Sequence, residues 1–148
     1  MKKPAATIYL TGYEKEGADE FVEKLRSAHV SLLIDVRERP LSRKEGFSKN
    51  TLRTNLAKAN IGYEHIGNLG SPRQTRDLLK EDGDYLTFFK EYRRYVRKQT
   101  VSISKITEIA DRETVCLMCF ERNYTTCHRT IIADEILKRN PQTEIIPL

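Results

Sequence analysis

Ser31-Leu32-Leu33-Ile34-Asp35-Val36-Arg37 is the stretch from which the fold is read. Three consecutive large apolar side chains leave no polar face. That is the pattern of a strand covered on both sides, as in a parallel sheet, rather than one lying half in water. A carboxylate and an arginine follow where such a strand ends. Upstream, Ala18, Phe21, Val22, Leu25 and Ala28 recur at helical spacing within 16–28, and Thr7 to Thr11 reads as a short strand closed by Gly12. Downstream comes a basic loop broken by Pro40 and Gly46. Ser48 then stands as a helix N-cap, with Phe47 and Leu52 at the N′ and N4 positions of a hydrophobic staple.

The alternation continues to the end of the chain. Residues 62–66 predict a third strand. Ser71-Pro72 is an N-cap with a first-turn proline, opening a helix to about Lys80. Asp84 opens another helix, with Tyr85, Phe88, Phe89, Tyr92 and Val96 on one stripe that reads as core. Ile103, Ile106 and Ile109 mark a short helix, 114–118 a buried strand, Ile131 to Leu137 a helix, and 143–146 a last strand. This order predicts an α/β fold. Its sheet is mainly parallel and doubly wound, Rossmann-like or flavodoxin-like, with about five strands and helices on both faces.

With 148 residues and 39% hydrophobic content, a single domain spanning 1–148 can bury a core without disulfides. No apolar run approaches the roughly 20 residues of a membrane span. Met1-Lys2-Lys3-Pro4 does not open a signal peptide. Three clustered cysteines, at 116, 119 and 127, point to a reducing compartment and a cytoplasmic location. The net charge of +5 has an address. Residues 37–58 hold Arg37, Arg39, Arg43, Lys44, Lys49, Arg53 and Lys58 against Glu38 and Glu45, and the rest of the chain balances to zero. A weaker basic concentration runs through Tyr92-Arg93-Arg94-Tyr95-Val96-Arg97-Lys98. Such a surface is either a solvated face or one that meets phosphate.

In open α/β sheets ligands bind beyond the carboxyl ends of the strands, and the reactive side chains collect there. Gly12 and Tyr13 follow the first strand; Asp35, Arg37 and Arg39 the second; His65 the third; Cys119 and Glu121 the fourth. Cys127, His128 and Arg129 fall where the next helix begins. A helix start lowers a thiol pKa and favours an anion, and a guanidinium can grip an oxyanion with two parallel bonds. The pattern admits several chemistries. One is an anion pocket with Arg37, Arg39 or Arg43 reaching in. Another is a thiolate at Cys119 or Cys127 with His65 or His128 as base. A third is a zinc site, which Cys-x7-Cys-His supports weakly because it matches no closed motif. Counted from Cys119, the Cys-x5-Arg spacing of a phosphatase loop is absent. Asp35 reads either as an ion-pair hub that orders an arginine or as a general base. Tyr63 and His65 alternate and so share a face. If that face looks on Asp35, His65 is the best acid–base candidate.

Asp35-Val36-Arg37-x-x-Pro40-x-Ser42-Arg43-x-x-x-Phe47-Ser48, Tyr63-x-His65 with Leu69-Gly70, Cys119-x-Glu121 and Cys127-His128-Arg129 resemble the DUF488 family, in matching order over nearly the whole chain. The resemblance implies a small cytoplasmic α/β domain and supplies candidate site residues without a reaction. The expectation is a protein binding a phosphorylated or nucleotide-like anion at the strand carboxyl ends, with hydrolase or transferase chemistry. Asp35, His65, Cys119 and Glu121 are the catalytic candidates. Arg37, Arg39, Arg43, Tyr63, Cys127, His128 and Arg129 are the ligand-binding ones. No cofactor or resident metal is expected. The alternatives are a nucleic-acid-binding module using the 37–58 surface and a thiol-dependent redox or sulfur-handling protein.

Overall fold

The structure is a computed structural model that describes residues 6–72, 85–119 and 129–148. Five strands, β1 (Thr7–Gly12), β2 (Leu32–Asp35), β3 (Gly62–His65), β4 (Val115–Cys119) and β5 (Glu144–Pro147), form one sheet in the order β3-β2-β4-β1-β5. Every pairing is parallel. The described helices are α1 (Ala18–Ser27), α2 (Lys49–Lys58), α3 (Tyr85–Arg97), α4 (Thr100–Ala110) and α5 (Arg129–Arg139). A single turn of 3-10 helix spans Gly67–Leu69. The expected α/β architecture is therefore the observed one. The helix expected from Pro72 to about Lys80 lies outside the described residues.

The buried side chains divide into two cores, one on each side of the sheet. Leu33, Cys116 and Met118 pack with Phe21 and Leu25 of α1 and with Leu52 and Leu56 of α2. Ile34, Val36, Leu117 and Cys119 pack with Tyr92 and Val96 of α3, Ile106 of α4, and Ile132 and Ile136 of α5. All five residues of β4 are buried, as a central strand between two helix layers requires. The aromatic stripe of α3 is core: Phe88, Tyr92 and Val96 are buried.

Helices α1 and α2 end in the same way. Leu25 and Leu56 each offer a carbonyl to an N–H five residues on, at Val30 and Ile61. Between them His29 (φ 60°) and Asn60 (φ 61°) take the left-handed conformation. This is the Schellman termination, with its apolar contact supplied by buried Val30 and Ile61. It turns each chain straight into the next strand. The Ser48 expectation needs a correction. Ser48 occupies the N-cap of α2 but makes no capping bond. Its Oγ accepts from the Ser42 N–H and donates to the Ser42 carbonyl, so the hydroxyl ties the basic loop instead.

Beyond β3 the backbone of Gly70 packs directly on the segment that carries Arg37. A Cβ there would sit 2.2 Å from the Glu38 nitrogen and 2.8 Å from the Val36 oxygen. Gly70→Ala is therefore expected to lower the unfolding free energy by about 2 kcal/mol or more. His29→Gly should raise it by roughly 0.5–1 kcal/mol, because relief of the left-handed strain exceeds the entropy glycine adds to the unfolded chain. Urea denaturation at constant m-value checks both signs.

Candidate functional site

Because all the strands are parallel, their carboxyl ends share one edge. Asp35 is the last residue of β2 and is fully buried. In register it lies beside His65 on β3 and Met118 on β4. Its carboxylate is saturated. Oδ1 accepts from the Arg37 backbone N–H (3.1 Å) and from Arg37 Nε (2.8 Å). Oδ2 accepts from Arg37 Nη2 (2.7 Å) and from the Tyr63 hydroxyl (2.5 Å). Period-two alternation puts residues 35 and 37 on one side, so the arginine folds back onto the carboxylate two residues before it. The remaining guanidinium nitrogen, Nη1, donates to the Tyr13 hydroxyl at 3.1 Å.

The ionisation of this cluster follows from its contacts. Burial pulls the Arg37 pKa down, but the hydrogen bonds and charge of Asp35 outweigh that and hold it above the ordinary arginine value. Burial first, then the hydrogen bond to Asp35 and its charge, push the Tyr63 phenol well above the usual tyrosine range. Tyr63 therefore stays a donor at neutral pH.

Aromatic packing backs the cluster. Tyr13 stacks on Phe47 with ring centroids 4.4 Å apart. Phe47 meets Phe21 edge-on at 5.3 Å. The Arg53 guanidinium lies 5.3 Å from the Tyr63 ring centroid. His65 is half-buried, with Nε2 2.6 Å from the Arg37 carbonyl oxygen. A carbonyl only accepts, so Nε2 is the donor of this bond.

The structure thus brings Asp35, Arg37, Tyr63 and His65 together, and adds Tyr13. The sequence shows Tyr13 directly after the strand-closing Gly12, but its partner depends on the fold. Arg39 and Arg43 are exposed on the loop after β2 and stand outside this cluster. Glu121, Cys127 and His128 lie outside the described residues. Arg129 opens α5 and is fully buried. Its Nε and Nη1 form no hydrogen bond, while the residue has contacts elsewhere.

The cysteines differ among themselves. Cys119 ends β4 beside Gly12 and is disulfide-bonded, which the cysteine count did not anticipate. In that form it offers no thiolate. Cys116 stands six residues before Arg122, at the Cys-x5-Arg spacing. It is nevertheless a mid-strand core thiol whose pKa burial pushes up to about 12, which rules it out as a nucleophile at neutral pH. Among the described residues no cluster of His, Cys, Asp and Glu could hold a metal ion, and no helix is long and apolar enough to cross a membrane.

The sequence profile of DUF488, a domain of unknown function, matches residues 17–136. The chain belongs to the DUF488 family. That match spans the Asp35–Arg37 pair, Tyr63, His65, Cys119 and Arg129, and so takes in most of this edge of the DUF488 domain; Tyr13 lies just outside it. Curated proteins yield no match.

Asp35→Asn should cost about 3–5 kcal/mol, because it leaves the Arg37 guanidinium buried without its counter-charge. Asp35→Leu combined with Arg37→Met should cost far less. Equal losses in denaturant melts would mean that the pair is not the buried unit described. Tyr63 also sets an alkaline limit. Its folded pKa is raised, so its contribution is intact below the unfolded value near 10 and is lost as pH rises beyond it, where only the unfolded chain releases the proton. Tyr63→Phe should flatten the fall in urea midpoint between pH 9 and pH 11, leaving the part due to the similarly raised Tyr92.

Proposed function

We propose that this DUF488 domain binds a small phosphate-bearing ligand at the carboxyl edge of its sheet. The observation that carries the reading is the position of Arg129, fully buried at the first described residue of α5. The chain leaves β1 toward α1 on one face of the sheet and leaves β4 toward α5 on the other. These two strands are neighbours, and ligands of open α/β sheets settle where such connections part. The amides and dipole of a helix start act there together with the guanidinium fork, in favour of an anion.

The roles differ from a simple ring of arginines. Arg37 is committed to Asp35 and Tyr13 and serves as a positioning residue, fixing the carbonyl to which His65 is bound. Asp35, with its acceptor sites filled, positions Arg37 rather than taking a proton. His65 is the acid–base group, acting through Nδ1, which suits hydrolase or transferase chemistry. Arg39 and Arg43 steer an anion toward the edge from their exposed loop. A cytoplasmic location stays part of this reading, although the disulfide at Cys119 withdraws the support of the cysteine pattern.

Thermal unfolding with inorganic phosphate, nucleoside monophosphates and nucleoside diphosphates tests it. At a hundredfold excess over Kd a ligand adds about 2.7 kcal/mol, roughly a 5–11 °C rise in Tm for a chain of this size. Arg129→Lys, checked for folding by circular dichroism, should lose most of that rise, since an ammonium cannot make the paired bonds. No rise with any of these compounds removes the reading.

A further inference from the structure

The loop after β2 displays Arg39, Leu41 and Arg43 outward, with exposed Glu45 beyond them. Leu41 is 72% exposed, flanked at two residues on either side by exposed Arg39 and Arg43. Large apolar side chains this exposed are few among the described residues; Leu86 and Val101 are the other strongly exposed ones. The residues between and beyond these three are fastened. Ser42 and Ser48 are joined by the two bonds described above. The Lys44 N–H donates to Ser42 Oγ (3.0 Å). Lys44 Nζ donates to the Tyr13 carbonyl (3.0 Å). The Lys49 N–H donates to the Pro40 carbonyl (2.8 Å). A tip fixed in this way spares a partner the cost of ordering its backbone on binding.

The charge around the tip is mainly positive, with Glu38 and exposed Glu45 as the acidic residues of the 37–58 window. Arg53 and Lys58 on α2 are exposed as well. In the second basic stretch, on α3, the three arginines are paired with carboxylates, and Lys98 is exposed. Arg93 pairs with Asp134 (3.0 Å), Arg97 with Glu135 (3.5 Å) and Arg94 with Glu91 (3.7 Å). The excess charge of the chain is therefore presented around Leu41, which makes a polyanion the complementary partner.

We propose that this tip docks on duplex DNA, with Leu41 wedging at a base step and Arg39 and Arg43 entering the minor groove on either side. Single-strand binding uses exposed aromatic platforms, whereas Tyr13 and Phe47 beside this loop are buried and Tyr63 is half-buried. An aliphatic wedge between arginines is instead the chemistry of minor-groove insertion. The wide, shallow minor groove of duplex RNA suits it poorly. The inference goes beyond the phosphate-ligand reading and does not depend on it.

The test is fluorescence anisotropy of the full chain with a random-sequence 20-base-pair DNA duplex. The DNA carries end dyes for energy transfer, and salt is varied from 50 to 250 mM. Binding should weaken log-linearly with salt. Arg39→Gln and Arg43→Gln should each lower the slope by about one. Leu41→Ala should keep the slope, weaken binding roughly tenfold, about 1.4 kcal/mol, and abolish the bend seen by energy transfer. All three positions are exposed, so the variants should melt like the parent protein. Absence of binding at 50 mM salt overturns the proposal. So does a slope that neither arginine change moves. Equal, Leu41-dependent binding to duplex RNA or to polyglutamate also overturns it, in favour of an RNA or an acidic protein partner.

Discussion

The buried pair of Asp35 and Arg37 organises everything at the carboxyl edge. A carboxylate at the end of a central strand is tolerated only if its acceptor sites are filled, and here one residue two positions later fills three of the four. Folding back in this way turns the Arg37 carbonyl outward to His65 and its last guanidinium nitrogen to Tyr13. The pair thereby joins β2 to the loops leaving β1 and β3. Gly70 closes the same region from below, its backbone lying against Glu38 with no room for a side chain. The Tyr92 hydroxyl, which donates to the Leu69 carbonyl, links that turn to α3. Strand ends, exit loops and one helix are thus fastened around a single salt bridge.

Such an arrangement separates two tasks that a row of arginines and acids in a sequence merges. Groups with all their bonds satisfied build a stiff floor, and a group held at one atom keeps another for a further contact. Asp35, Arg37 and Tyr63 belong to the floor. His65 stands beside them, held through Nε2 on the Arg37 carbonyl, and Arg129 is buried at the first described residue of α5.

Much of the fold is legible in the chain because it rests on local signals. The run Leu32-Leu33-Ile34 names a doubly covered strand, and the helical spacing of Phe21 and Leu25 names the face of α1. Strand order is another matter. The pairing of β4 between β2 and β1 joins residues far apart in sequence, and no local pattern encodes it. The site divides in the same way. That Asp35 and Arg37 share a side follows from strand alternation, and the ion pair was one of the two readings of Asp35. That the arginine turns inward, and that Tyr13 receives its last nitrogen, depends on which loops the fold brings alongside. Ser48 shows the converse. Its position at a helix start was readable, but its hydroxyl was diverted to Ser42 by a loop whose path the sequence does not disclose.

The bonds that shape the loop after β2 run through Ser42, Ser48, Lys44, Lys49 and Pro40 and not through exposed Arg39, Leu41 and Arg43. Scaffold and display are therefore separable. Exchange of Arg39, Leu41 or Arg43 leaves every one of those bonds in place, so the surface of the loop can change while its path is kept.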